Sequence, residues 1–204
     1  VDVAERREEV RRQVSAILQA HGARLSDAAL IGELTNLVEW PSALEASFDE
    51  QFLSVPACVV EAAMTEHQRY FPVRDAQGRL LPRFVIVSNR APEQHQTVRE
   101  GNERVLRARL ADARFFWQED LRRPLEERVP LLEGVVFLGG LGNNLQRTRR
   151  LEELSVRVGR MMGLGEQELA HVRRAAHLCK ADLLTGLVGE FTSLQGKVGR
   201  ELAL

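Results

Sequence analysis

The residues in this chain best equipped for chemistry are arginines. In residues 101–117, GNERVLRARLADARFFW, Arg104, Arg107, Arg109 and Arg114 sit among alanines and leucines, and three aromatics close the run. A guanidinium presents a planar fork of donors that matches phosphate or carboxylate oxygens two at a time. Wound as a helix, the segment gathers Val105, Leu106, Leu110, Ala113, Phe116 and Trp117 on one broad face. Arg104, Arg107 and Arg114 fall on the opposite side, either as a solvated face or as contacts to an RNA backbone. Arg109 lands in the middle of the apolar face, between Val105 and Ala113. A buried guanidinium without a partner is very costly. Arg109 therefore either forms a buried ion pair that locks the helix to a sheet, with Asp112, Asp120 or the distant Glu39, or faces a groove and grips a phosphate or a partner.

Other catalytic patterns are missing. No GxxxxGKS/T loop offers a phosphate cradle, no GxSxG offers a nucleophile, and no His/Glu pair has zinc spacing. His171 and His177 are six residues apart on a helical segment and share no face at ligand spacing; His21, His67 and His95 are scattered. In HQRYF, Tyr70 and Phe71 open a strand and are either core or a base-stacking platform. The sequence thus predicts neither catalytic nor metal-ligating residues here.

Several elements must position the arginines. Val10, Val14, Ile17 and Leu18 predict a helix over 3–20 that ends near Gly22. Ser26 and Asp27 start a second helix, which Pro41 stops. Leu44, Ala46 and Phe48 alternate as in a strand, and Pro56 opens a helix through PACVVEAAMTEHQ. YFPV and FVIVSN flank Asp75-Ala76-Gln77-Gly78, a hairpin pattern in which Pro72 marks an edge strand. A long helix follows over about 93–121, then a short helical piece in RRPLEERVPLLEG. VVFLGGLG reads as a strand or an apolar turn. Beyond it NNLQRTRRLEELSVRVGRMM, EQELAHVRRAAHLCKADLLTGLVGEF and SLQGKVGREL all read as helices. The expectation is an α+β chain. An α/β domain spans 1–142, with a helical lead-in over 1–40 and a small sheet and long helix over 41–142; an all-α domain spans 143–204, and GGLGNN is the junction.

Bulk properties narrow the setting. The chain has 204 residues and a net charge of −1, so bulk charge does not make it a polyanion binder and any nucleic-acid contact must come from a local patch. Lys180 and Lys197 are its only lysines. Cys58 and Cys179 form no CxxC and read as buried free thiols, which fits a reducing cytoplasm. No apolar run approaches the ~18 residues of a membrane span, and no signal peptide opens the chain. Both ends read as cut from a longer polypeptide.

LTNLVEWP (34–41), FDEQFLSVP (48–56), TEHQRYFPV (65–73), GNERVLRARLADARFFWQED (101–120) and CKADLLTGLVGEFTSLQGKVGRE (179–201), in this order, resemble the β subunit of the bacterial tetrameric glycyl-tRNA synthetase. Residues 1–32 carry no such motif. The resemblance implies an α2β2 ligase that charges tRNA-Gly with glycine. ATP and Mg are expected at the α subunit, which carries the active site, and no cofactor is expected on this chain. The β subunit would supply tRNA docking and subunit assembly, or assembly alone. His67, Gln68, Tyr70, Asn102, Asp182, Glu190, Gln195 and Gly196 stand in the matching motifs. The family's helical region is similar to HD-superfamily phosphohydrolases, but CKADLLTG has Lys180 and Asp182 where a His-Asp pair would stand, which argues against a metal and against hydrolysis. Lys180 either meets a phosphate or pairs with Asp182 or Glu190. Gly196 and Gly199, three apart, would let another helix approach, while Glu190 and Gln195 cap or tie helices. The expected RNA contacts are Arg104, Arg107, Arg114, Arg149, Arg150 and Lys180.

Overall fold

Val10, Val14 and Leu18 recur at four-residue steps and give the first helix, α1 (Val3–Ala20), a single buried stripe. The Asp2 carboxylate accepts the Ala4 N–H at 2.7 Å and closes its open N-terminus. The computed structural model describes residues 2–25 and 27–204. Ser26, expected to help start the second helix, lies outside the described residues. Asp27 caps α2 (Ala28–Leu37), accepting the Leu30 N–H at 2.8 Å. This helix ends before Pro41 is reached, because Val38 is buried in extended conformation and turns the chain toward the sheet.

The sheet has three antiparallel strands, β1 (Ser42–Ser47), β2 (Phe71–Arg74) and β3 (Leu80–Ser88), in the order β1-β3-β2. Helix α3 (Ala57–Gln68) connects β1 to β2. Leu44 pairs with Ile86, Ala46 with Phe84 and Phe71 with Val85. Pro72 sits on an edge strand, as predicted, where its missing N–H costs no ladder bond. Gly78 turns the hairpin at φ 80°, a value that L side chains rarely adopt. Phe84–Val87 is a continuous buried run, since both faces of β3 are covered. Val85 and Val87 face Val10, Val14, Leu30 and Ile31.

The long helix α4 (His95–Leu121) buries Leu106, Leu110 and Ala113. It is locked to β1 as the sequence suggests, but through other residues. His95 Nε2 meets Ser42 Oγ at 2.7 Å, Arg99 Nε donates to the Glu45 carbonyl at 2.9 Å, and Glu103 accepts the Ser47 N–H at 2.8 Å. The expectation for Arg109 is corrected: its side is half-buried, and Val105 is exposed. Asp112 and Glu39 are exposed, so neither can be half of a buried pair.

The chain divides into two compact units, Val1–Arg114 and Phe115–Leu204. The division falls inside α4 and not at residues 142/143. The Gly-rich stretch is part of the second unit because it folds as a small hairpin, β4 (Val136–Leu138) with β5 (Gly142–Asn143). Before it come α5 (Leu125–Arg128) and a 3-10 turn, Val129–Gly134. After it come α6 (Asn144–Met161) and α7 (Glu166–Leu178), which pack on each other.

The predicted continuous helix through residue 191 is broken. A 3-10 turn (Ala181–Leu184), α8 (Gly186–Glu190), a second 3-10 turn (Thr192–Leu194) and α9 (Lys197–Ala203) replace it. Two buried carboxylates account for the breaks. Asp120 accepts the Gly186 and Leu187 N–H groups, each at 2.9 Å, and so holds the start of α8. Asp182 Oδ2 accepts the Gly199 N–H at 3.2 Å and that of Gly196. Gly196 therefore precedes α9, at φ 85°, instead of lying within a helix. At Gly199 the close neighbour is the Asp182 side chain, where a Cβ would lie 3.0 Å from Oδ2, not a second helix.

Asp120 does belong to a buried ion pair, but its partner is Arg128: Nη2 lies 3.3 Å from Oδ1, and both side chains are almost wholly buried. The guanidinium also donates to the carbonyls of Leu184 and Asp120, each at 2.9 Å. Of the two thiols, Cys58 is half-buried and Cys179 is exposed, against the expectation that both are buried.

Candidate nucleic-acid interface

Asn143 and Gln146 build the start of α6 as a reciprocal pair. The Asn143 side chain accepts the Gln146 N–H at 2.9 Å, and the Gln146 side chain accepts the Asn143 N–H at 3.2 Å. The helix then has three sides. Asn144, Thr148, Val156 and Gly159 are buried. At Gly159 a Cβ would lie 2.7 Å from Leu169, so the bare backbone is what brings α7 close. Arg149, Glu153, Arg157 and Arg160 form the polar side, and Leu151, Leu154, Val158 and Met161 the third.

Between the polar side of α6 and Arg173 of α7 runs an open groove of about 560 Å³. Arg149, Arg157, Arg160 and Arg173 line it together with Glu152, Glu153 and Val156. Glu152 is already engaged, its Oε1 accepting from His177 Nδ1 at 2.8 Å. Four guanidiniums against two carboxylates leave a local positive excess that the overall charge of −1 conceals. Such forks, repeated along a groove, suit successive phosphates and carry no base preference.

The structure does not gather the predicted cations into one site. Arg149 lies in this groove, whereas Arg150 turns to the apolar side of α6 and donates to the Leu141 carbonyl at 3.2 Å. Successive helical residues point about 100° apart, which separates the two. Arg104 and Arg107 are exposed on the part of α4 that belongs to the first unit. Arg114, half-buried there, donates to Gln51 Oε1 at 2.5 Å. Lys180 is half-buried just before the 3-10 turn, and it is not what answers Asp182: backbone N–H groups take Oδ2, and Oδ1 is buried without a hydrogen-bond partner. Glu190 and Gln195, read as ties between helices in an apolar setting, are exposed.

Sequence reasoning missed Arg157, Arg160 and Arg173. The first two share a helical face with Arg149, so a wheel drawn over α6 would have found them; Arg173 needs the packing of α7 on α6.

The HQRYF motif builds core, not a stacking platform. The Tyr70 ring is buried, with its centroid 4.8 Å from that of Phe84. Its hydroxyl donates to Asn102 Oδ1, and Asn102 Nδ2 donates in turn to the Val98 carbonyl at 2.7 Å. Burial pushes the Tyr70 phenol up to about 12. Gln68 Oε1 lies 3.5 Å from the same hydroxyl, and His67 is exposed. Among the described residues no three His, Cys, Asp or Glu side chains converge to hold a metal ion.

A family profile described as glycyl-tRNA synthetase beta subunit matches residues 1–204. Curated relatives called glycine–tRNA ligase beta subunit are similar over the whole chain. That of Desulforudis audaxviator is 49% identical, with 100% of this chain matching 30% of the relative. That of Rhodospirillum centenum is 47% identical, with 100% of this chain matching 29% of the relative. That of Desulforamulus reducens is 44% identical, again with 100% of this chain matching 30% of the relative. The chain thus spans less than a third of the length of these relatives.

Proposed function

Since the chain belongs to the glycyl-tRNA synthetase beta subunit family, we propose that it docks tRNA-Gly and supports subunit assembly in a glycine–tRNA ligase. In this reading ATP, Mg and the bond-forming chemistry belong to the α subunit. The arginine groove of α6 and α7 is the observation that carries the proposal. It would grip the RNA backbone and position the tRNA without reading its bases. The helical stretch 143–204 is then the HD-like region of the family, with its metal pair replaced by Lys180 and Asp182. The Asp182 carboxylate is committed to the Gly196 and Gly199 backbone, so it serves structure there. A cytoplasmic location goes with this reading. No helix among the described residues is long and apolar enough to cross a membrane.

The test is tRNA-Gly binding at several salt concentrations, with Arg149, Arg157 and Arg173 each replaced by Ala and then combined. Each lost phosphate contact should lower the slope of log affinity against log salt by roughly 1. Replacing Arg150 should leave that slope unchanged. An unaltered slope in the triple variant would reject RNA docking by this groove and leave assembly as the role of these residues.

A further inference from the structure

The third side of α6 has no cover among the described residues. Leu151, Leu154, Val158 and Met161 recur at steps of three and four, the spacing of a seam that one partner helix fills. Leu154 is 54% exposed, Val158 52% and Met161 88%, and they adjoin on one side of the helix as a contiguous apolar patch. The β4–β5 hairpin supplies the opposite wall through Phe137 and Leu141, and the open groove between hairpin and helix holds about 810 Å³.

Its rim is basic. The Arg147 guanidinium lies 4.0 Å over the Phe137 ring, and Arg150 is tied to the Leu141 carbonyl. Two copies of this face would set like charges against each other, which disfavours self-association. The relatives carry most of their polypeptide outside the matched stretch, which is 29–30% of their length. We infer that the groove seats an amphipathic helix with acidic flanks, contributed by the part of the same polypeptide that lies outside these residues.

The experiment uses the full-length beta subunit, purified without its partner, carrying Leu154→Cys, Val158→Cys or Met161→Cys singly. Maleimide labelling of the α6 peptide is followed by mass spectrometry in native buffer and after unfolding in urea. Native labelling should be at least about tenfold slower than unfolded labelling, as expected for a covered site, and the ratio should not change with protein concentration. Charge reversal by Arg147→Glu together with Arg150→Glu should speed native labelling. Three single positions guard against one variant that fails to fold. Equal native and unfolded rates would overturn the inference. So would protection that grows with protein concentration, which means a second copy, or protection that appears only when the α subunit is added, which means a separate chain. Protection indifferent to the charge reversal would overturn the acidic character of the helix.

Discussion

Replacing Asp120 with Ala removes one carboxylate that answers three donors, two of them buried. Arg128 loses its charge partner at 3.3 Å, and the Gly186 and Leu187 N–H groups lose acceptors at 2.9 Å. Breaking a buried pair by deleting one member costs roughly 3–5 kcal/mol, and each orphaned buried donor about 1–3. These terms overlap, because Arg128 keeps its carbonyl acceptors on Leu184 and residue 120. The expected loss is therefore about 3–5 kcal/mol, not the sum. Urea unfolding followed by far-ultraviolet circular dichroism measures it. Arg128→Met in the Asp120→Ala background should recover part of the loss, since the stranded charge is gone, and leave the cost of the two N–H groups. Both the loss and the recovery should be insensitive to salt, because the pair is shielded from solvent. A loss below about 1 kcal/mol for Asp120→Ala, or no recovery in the double variant, would refute the assignment of this carboxylate as the pin of the second unit.

Two further outcomes follow from buried polar groups. The Tyr70 phenol is raised from 10.0 to about 12, so the folded state holds its proton more tightly than the unfolded chain does. Its contribution to stability is complete below pH 10 and falls away as pH rises toward 12; as Tyr70 is the only tyrosine, ultraviolet difference absorbance should show phenolate formation only as the fold is lost. Thr148 buries a hydroxyl without a partner, so Thr148→Val should be neutral or raise stability by up to about 1 kcal/mol in thermal unfolding; a clear loss would mean the hydroxyl has an acceptor.

The sheet and the long helix were legible because their signals are local. Pro72, Gly78 and the alternation around Leu44 act through their own backbone, and α4 runs within two residues of its predicted start. The C-terminal pieces were not legible, because LLTGLVGEF has helical spacing while Asp120 reaches its Gly186 and Leu187 from a distant position and Asp182 ties to the Gly196 and Gly199 backbone beyond it. The Arg109 expectation went astray at one choice. A wheel with both Val105 and Leu106 on its apolar side has a broad face, and only packing shows that the buried centre runs through Leu106, Leu110 and Ala113. Arg128 was overlooked because it sits in RRPLEERVP, a charged run that reads as solvated. The candidate groove lies between these cases: three of its four arginines follow from one helical face, and the fourth from tertiary packing.

The choice of cation in the α6–α7 groove bears on how an interface there can be mapped. Every positive side chain lining it is an arginine, and Lys180 and Lys197 are the only side-chain amines in the chain. Amine-reactive cross-linkers and lysine acetylation are blind to this surface whatever covers it. Dicarbonyl reagents, which condense with guanidinium groups, would register a bound RNA as protection of Arg149, Arg157, Arg160 and Arg173 together. Arg150, the next residue along the same helix and turned to its apolar side, would serve as the internal reference whose reactivity does not change when only the groove is filled.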